Sequence, residues 1–218
     1  MNLFFDLDGT LTDSKPGIIN SFHHTLRAMG RPAPDAAALM PLIGPPLRDG
    51  LADLLETRDP DVLETAVAHY REYFSASGMY ENSVYPGIRS LLEGLRAAGA
   101  RMWVITGKTD YFARKIVSHF DLLPFFNGIT GSAADGSVSS KTEMVAGVLS
   151  NEGLDAARTV MIGDRKHDII GARENGIAAV GVLWGYGSAE ELTAAGAHVL
   201  SAAPKDLTDA IAAALDMI

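Results

Sequence analysis

The sequence predicts an α/β fold, a doubly wound parallel sheet whose first strand is followed by an all-helical insert. Three observations carry this expectation. Short apolar runs with β-branched or aromatic content recur at residues 3–7, 102–106, 126–130, 160–162 and 178–183. Stretches with helical spacing separate the later runs, as strand–helix alternation requires. Between about residues 14 and 83, apolar residues keep helical periods with no strand among them.

The elements follow in chain order. Leu3-Phe4-Phe5-Asp6-Leu7 is a nearly continuous apolar run that meets the turn formers Asp8-Gly9-Thr10, the pattern of a strand buried on both faces. Within the insert, Ile18, Phe22 and Leu26, then Leu47, Leu51 and Leu55, then Val62, Val67 and Tyr70 mark helices. Pro32-Ala33-Pro34 and Gly44-Pro45-Pro46 separate them, and hinges are expected near residues 12–15 and 81–86, where turn formers cluster. After Pro86-Gly87, Ile88, Leu91, Leu92 and Leu95 share a helix face that Gly99 terminates. Met144, Val145, Val148 and Leu149 do the same after Ser139-Ser140-Lys141, with Gly153 closing, and a last helix opens near Pro204 with Leu207, Ile211 and Leu215.

Composition narrows the function. Across 218 residues, 18 Lys and Arg stand against 27 Asp and Glu, a formal charge of −9, with 47% hydrophobic and 21% charged residues. That excludes a disordered tail and disfavours a basic nucleic-acid binder. Cysteine is absent, which removes disulfides, thiol nucleophiles and Cys-based metal sites. The opening Met1-Asn2-Leu3-Phe4-Phe5-Asp6 lacks a signal-peptide pattern, and no apolar run approaches the ~18 residues of a membrane span. The expectation is a cytoplasmic monomer or homodimer that engages neither membrane nor nucleic acid polymer. Its negative charge repels phosphorylated molecules, so a site for them must supply local cations, backbone N–H groups or a metal.

Four segments carry candidate chemistry. Asp6 and Asp8 lie at the carboxyl end of the first strand, where open α/β sheets gather ligands. Residues two apart in extended chain share a face, and two converging carboxylates call for a cation or a proton between them. The ordinary alternative is a strand end running into an Asp-Gly-Thr turn. Thr106 and Gly107 end the strand Met102-Trp103-Val104-Ile105 and offer a hydroxyl and a backbone N–H, although Thr is also a common helix cap. Gly107-Lys108-Thr109 mimics the end of a P-loop, but Met102 stands where that motif needs glycine. Lys141 sits at a helix start, where a cation opposes the helix dipole unless an anion is near. Asp164 and Asp168 follow the strand Val160-Met161-Ile162-Gly163 and could complete an oxygen-rich site for Mg²⁺. His23 and His24 read as exposed residues of the insert rather than ligands, and His167 has no second histidine at ligand spacing.

Taken in order, Phe4-Phe5-Asp6-Leu7-Asp8-Gly9-Thr10, Thr106, Lys141 and Gly163-Asp164 with Asp168 resemble the four motifs of the haloacid dehalogenase superfamily, most of whose members are phosphohydrolases. The resemblance spans essentially the whole chain. It implies a Rossmann-like catalytic core from residues 1–13 and 84–218, with a helical cap domain at 14–83. It further implies Asp6 as nucleophile, Asp8 as acid and base, and Thr106, Gly107 and Lys141 as phosphate-binding groups. Mg²⁺ would be held by Asp6, Asp8 and Asp164, with Asp168 behind them holding a metal-bound water or Lys141. Asp8 argues against dehalogenase or phosphonatase chemistry, which lack it, while sugar-phosphate mutases retain both aspartates.

The resemblance assigns substrate choice to the cap. Leu42-Ile43-Gly44-Pro45-Pro46-Leu47-Arg48 resembles the specificity loop of phosphoglycolate phosphatase-like and bacterial nucleotidase-like members, with Gly44 permitting close approach and Arg48 available for a second anionic group. The implied activity is hydrolysis of a small phosphorylated metabolite, with phosphoglycolate first and nucleoside monophosphates or mutase chemistry as alternatives. Trp184-Gly185-Tyr186-Gly187 is placed at the site entrance and is no dinucleotide fingerprint, because Glu190 replaces the third glycine.

Overall fold

The computed structural model describes residues 1–133 and 140–218; Ser139, read above as part of a helix start, lies outside them. The chain divides into two compact units, one of Met1–Thr12 and Val84–Ile218 and one of Asp13–Ser83. The paired strands β2 (Thr12–Asp13) and β3 (Ser83–Val84) lie where the chain passes from one to the other.

In the first unit, β1 (Asn2–Phe5), β4 (Arg101–Thr109), β5 (Gly128–Ser132), β6 (Thr159–Gly163), β7 (Ala178–Val182) and β8 (Val199–Ser201) form one six-stranded sheet in the order β5-β4-β1-β6-β7-β8. Every neighbouring pair is parallel. The helices are α5 (Ile88–Ala97), α6 (Asp110–His119), α7 (Lys141–Glu152), α8 (Lys166–Glu174), α9 (Ala189–Ala194) and α10 (Leu207–Leu215). Period-two geometry sends alternate strand residues to one face, so Phe4, Trp103, Ile105, Met161 and Ala179 join Met144, Val145 and Val148 of α7 and Ile169 and Ala172 of α8 in one core cluster. Trp103 meets Phe4 edge to face at 5.7 Å.

The strand order decides where the site lies. The chain builds outward from β1 through β4 to β5, then returns to lay β6, β7 and β8 on the other side. This reversal sets the carboxyl ends of β4, β1 and β6 side by side, the switch point where doubly wound sheets bind ligands. Phe5 is level with Val104 on one side and Ile162 on the other.

Three details differ from the sequence reading. Strand β1 ends at Phe5 rather than Leu7, although Asp6 N–H still donates to Ile162 C=O at 2.9 Å. Strand β4 runs on to Thr109, with a register shift against β5 between Thr106 and Thr109. Strand β8 was not anticipated, since three residues at a sheet edge are too short to show a period.

The second unit is helical, with α1 (Lys15–Ala28), α2 (Ala36–Leu39), α3 (Leu47–Leu55) and α4 (Pro60–Tyr73). Asp59 caps α4 by accepting from Asp61 N–H, and Pro60 takes the first helical position. Helices α1 and α4 pack through Phe22 against Tyr70, ring centres 5.1 Å apart, and Tyr70 stacks on Phe74 at 5.6 Å.

Candidate active site

Just past β1 the chain turns tightly. Leu7 C=O accepts from Leu11 N–H and Thr12 N–H, each at 3.0 Å, and Gly9 turns at φ +83°, a conformation that a side chain at this position would strain. Asp6 and Asp8 therefore sit on a strand end and a loop rather than on one continuous strand, and both carboxyl groups are largely enclosed.

Lys141, at the start of α7, is buried rather than solvated. Its Nζ lies 2.9 Å from Asp6 Oδ1 and 2.7 Å from Asp168 Oδ1, and it donates to Ile105 C=O at 2.8 Å. An ammonium has three protons, and these three oxygens match them in number. Burial pulls the Lys141 pKa down, but the carboxylates of Asp168 and Asp6 outweigh it and hold the group above its ordinary range. Asp168 also accepts from Arg165 N–H at 3.1 Å; burial nevertheless pushes its carboxyl up, against the pull of Lys141.

Asp164 follows β6 and is fully buried. Thr10 Oγ1 donates to its Oδ1 at 3.1 Å and Tyr186 N–H to its Oδ2 at 2.8 Å, while Trp184 Nε1 donates to Thr10 C=O at 3.0 Å. The loop after β7 packs so closely that a Cβ on Gly185 would lie 2.3 Å from Asp164 Cβ and 2.4 Å from Gly9 C=O. Burial first, then the charges of Asp6 and Asp168, push the Asp164 carboxyl well above its usual range.

This crowding tests whether a cation belongs here. Carboxylate oxygens of Asp6, Asp164 and Asp168 lie within 4.8 Å of one another, and Lys141 bridges only Asp6 and Asp168. Asp8 Oδ1 is buried without a hydrogen-bond partner among the described residues. Hard oxygen donors with excess negative charge fit Mg²⁺ or a similar ion.

Of the remaining sequence candidates, Thr106 is buried at the end of the core portion of β4, its Oγ1 accepting from Lys108 N–H at 3.3 Å, and Gly107 is exposed. Gly44 and Arg48 belong to the helical unit. Gly44 has φ +110° in the loop before α3, and the half-exposed Arg48 is ion-paired with Glu64 of α4. Sequence reasoning missed Lys108 in this role; its Nζ lies 3.0 Å from Asp8 Oδ2, both side chains nearly enclosed. Thr10 and Tyr186 were missed as supports of Asp164, and Trp184 acts on that support rather than merely standing at an entrance.

A parallel sheet with buried carboxylates and an enclosed lysine gathered at its switch point places the protein among α/β proteins with a polar, cation-ready site at the carboxyl ends of the strands. Residues 3–182 match the model of the haloacid dehalogenase-like hydrolases, and the chain belongs to that family, as a phosphatase. It is 45% identical over 195 residues to a 5'-nucleotidase of Pseudomonas aeruginosa, covering 88% of this chain and 87% of that one. It is 42% identical over 188 residues to the tyrosine-protein kinase PtkA of Mycobacterium tuberculosis, covering 86% of this chain and 64% of that one. A phosphoglycolate phosphatase of Agrobacterium fabrum is 30% identical over 190 residues, 84% and 80% of the two chains. Among solved structures, a predicted phosphatase from Clostridium acetobutylicum superposes with TM-score 0.92 at 37% identity, covering 97% of each chain. No helix among the described residues is long and apolar enough to cross a membrane.

Proposed function

We propose that the chain is a Mg²⁺-dependent phosphatase that hydrolyses small phosphate monoesters through a phosphoaspartate on Asp6. The observation that carries this reading is the buried Lys141 ammonium held 2.9 Å from Asp6 and 2.7 Å from Asp168, with Asp164 in the same carboxylate cluster. Thr106 and the Gly107 N–H bind phosphate oxygens. An Asp6 oxygen attacks phosphorus in line; the O–P bond forms as the ester P–O bond breaks, and Asp8 gives a proton to the leaving oxygen. Asp8 then takes a proton from water, whose oxygen attacks phosphorus to release phosphate and regenerate Asp6. Lys108 orients Asp8 through the contact at Oδ2. Lys141, hydrogen-bonded to Asp6 and Ile105 C=O and ion-paired with Asp168, presents its positive charge to the phosphate oxygens. The carboxylates of Asp6 and Asp164 and the backbone carbonyl of Asp8 would hold Mg²⁺, whose charge would offset repulsion between the carboxylate nucleophile and the phosphate dianion.

The helical unit of residues 13–83 serves in this reading as the cap that selects the substrate, with Gly44 and Arg48 as its selecting residues. The 45% identity to a 5'-nucleotidase favours nucleoside monophosphates as first substrates. Phosphoglycolate is the second reading, resting on the Gly-Pro-Pro loop with Arg48 and on the more distant relative of that name. The test is phosphate release from nucleoside monophosphates, phosphoglycolate and hexose phosphates, with and without chelator, and with Asp6→Asn. Mg²⁺-dependent release that falls at least ~10³-fold in Asp6→Asn supports the proposal. Hexose phosphate isomerisation without release would instead mark a mutase, and full activity of Asp6→Asn would remove the phosphoaspartate.

A further inference from the structure

The helical unit holds a second cluster of ligating side chains, independent of the carboxylates described above. His24 lies on α1, and His69 and Glu72 lie one turn apart on the face of α4 that meets it. Glu72 Oε2 is 3.6 Å from His24 Nε2 and 3.5 Å from His69 Nδ1, and all three donor atoms lie within 4.8 Å of one another. A direct hydrogen bond from a protonated imidazole to a carboxylate closes to about 2.7–2.9 Å, so these separations are too long for strong pairing. They are close to the ~3.3–3.4 Å that separates neighbouring ligands set tetrahedrally at 2.0–2.1 Å from one ion. His24 Nε2 is moreover buried with no hydrogen-bond partner among the described residues, an arrangement that an imidazole nitrogen seldom keeps without a proton partner or a metal.

We propose that His24, His69 and Glu72 form a binding site for a divalent transition metal of the Zn²⁺ type, which staples α1 to α4. Two imidazoles and one carboxylate suit Zn²⁺ and its neighbours better than Mg²⁺ or Ca²⁺. Three protein ligands leave a fourth position for water, and the exposure of Glu72 opens that side to solvent. The Tyr73 ring lies against the His24 ring at 5.3 Å, which restricts its orientation before any ion arrives. The sequence reads His24 as an exposed residue rather than a ligand; in the fold it is partly buried, and its neighbours here are 45 and 48 positions away, on a helix whose register against α1 only the fold sets.

The test is Zn²⁺ titration of the metal-stripped full chain in excess Mg²⁺, which occupies hard-oxygen sites, followed by calorimetry and by imidazole ¹⁵N resonances. The expected result is one Zn²⁺ bound by wild type and equally by Asp164→Asn, with a higher melting temperature and shifted His24 and His69 signals. His24→Gln and His69→Gln should each weaken binding by at least ~tenfold while melting like wild type without metal. Absence of Zn²⁺ binding under these conditions, unchanged affinity in the histidine variants, or loss in Asp164→Asn would each overturn the site.

Discussion

Replacing Lys141 by Met removes the cation bonded to Asp6 and Asp168 and keeps most of the volume. Asp168 has a side chain about 1% exposed and Asp6 about 10%, so neither carboxylate regains water. Removing one partner of a buried pair costs about 3–5 kcal/mol. At about 2–4 °C per kcal/mol for a chain of this size, the midpoint should fall by roughly 6–20 °C. The loss should depend on pH in a defined sense. Without Lys141 the folded-state pKa of Asp168, already raised by burial, loses the charge that lowers it and rises further above its unfolded value, and a group of that kind loses stability as pH climbs through that interval. The deficit should therefore be smaller near pH 4 than at pH 7.5. Urea unfolding of metal-free protein at both pH values measures it, with Lys141→Met/Asp168→Leu as partner variant. That double variant removes one stranded charge and should recover part of the deficit. A single variant within ~0.5 kcal/mol of wild type at pH 7.5, which is the scale of an ordinary surface change, would refute the reasoning.

Asp164→Asn should abolish Mg²⁺-dependent activity yet stabilise the metal-free protein at neutral pH, because an aspartate pushed above its unfolded pKa costs stability as pH rises from ~4 through its folded value; melting curves across pH without and with Mg²⁺ show the sign. Gly185→Ala should destabilise by about 1–3 kcal/mol, since its Cβ meets the backbone carbonyl of Gly9 at 2.4 Å, and should raise the Mg²⁺ needed for half-maximal activity. Arg48→Ala should raise KM about tenfold or more for the physiological substrate with little change in kcat, the signature of a lost binding contact; an unchanged KM would leave Arg48 as the partner of Glu64 alone.

What the sequence disclosed follows a physical pattern. Asp6, Thr106 and Asp164 were legible because each ends an apolar strand, and strand ends in a doubly wound sheet converge. Lys141 was legible as a charge opposed to its own helix dipole, although its burial was not. The supports were hidden because they are made across long separations. Trp184 reaches Thr10 from 174 residues away and Tyr186 N–H reaches Asp164 from 22. A backbone donor has no residue type to advertise it, and Lys108 was visible only as part of a spurious nucleotide motif. Likewise β8 owes its strand conformation to β7 rather than to any pattern of its own.

The position of β1 governs the order in which the nascent chain can complete itself. Its four residues leave the ribosome well before their partners, Arg101–Val104 on one edge and Thr159–Ile162 on the other. At about 5–20 residues per second, the apolar segment Asn2-Leu3-Phe4-Phe5 waits several seconds for its first partner and several more for its second. The helices of residues 13–83 rely on contacts within their own stretch and can form while β1 waits. Until β6 emerges, the strand that delivers Asp6 keeps one hydrogen-bonding edge open, so the segment that carries Asp6 is exposed to mispairing during synthesis.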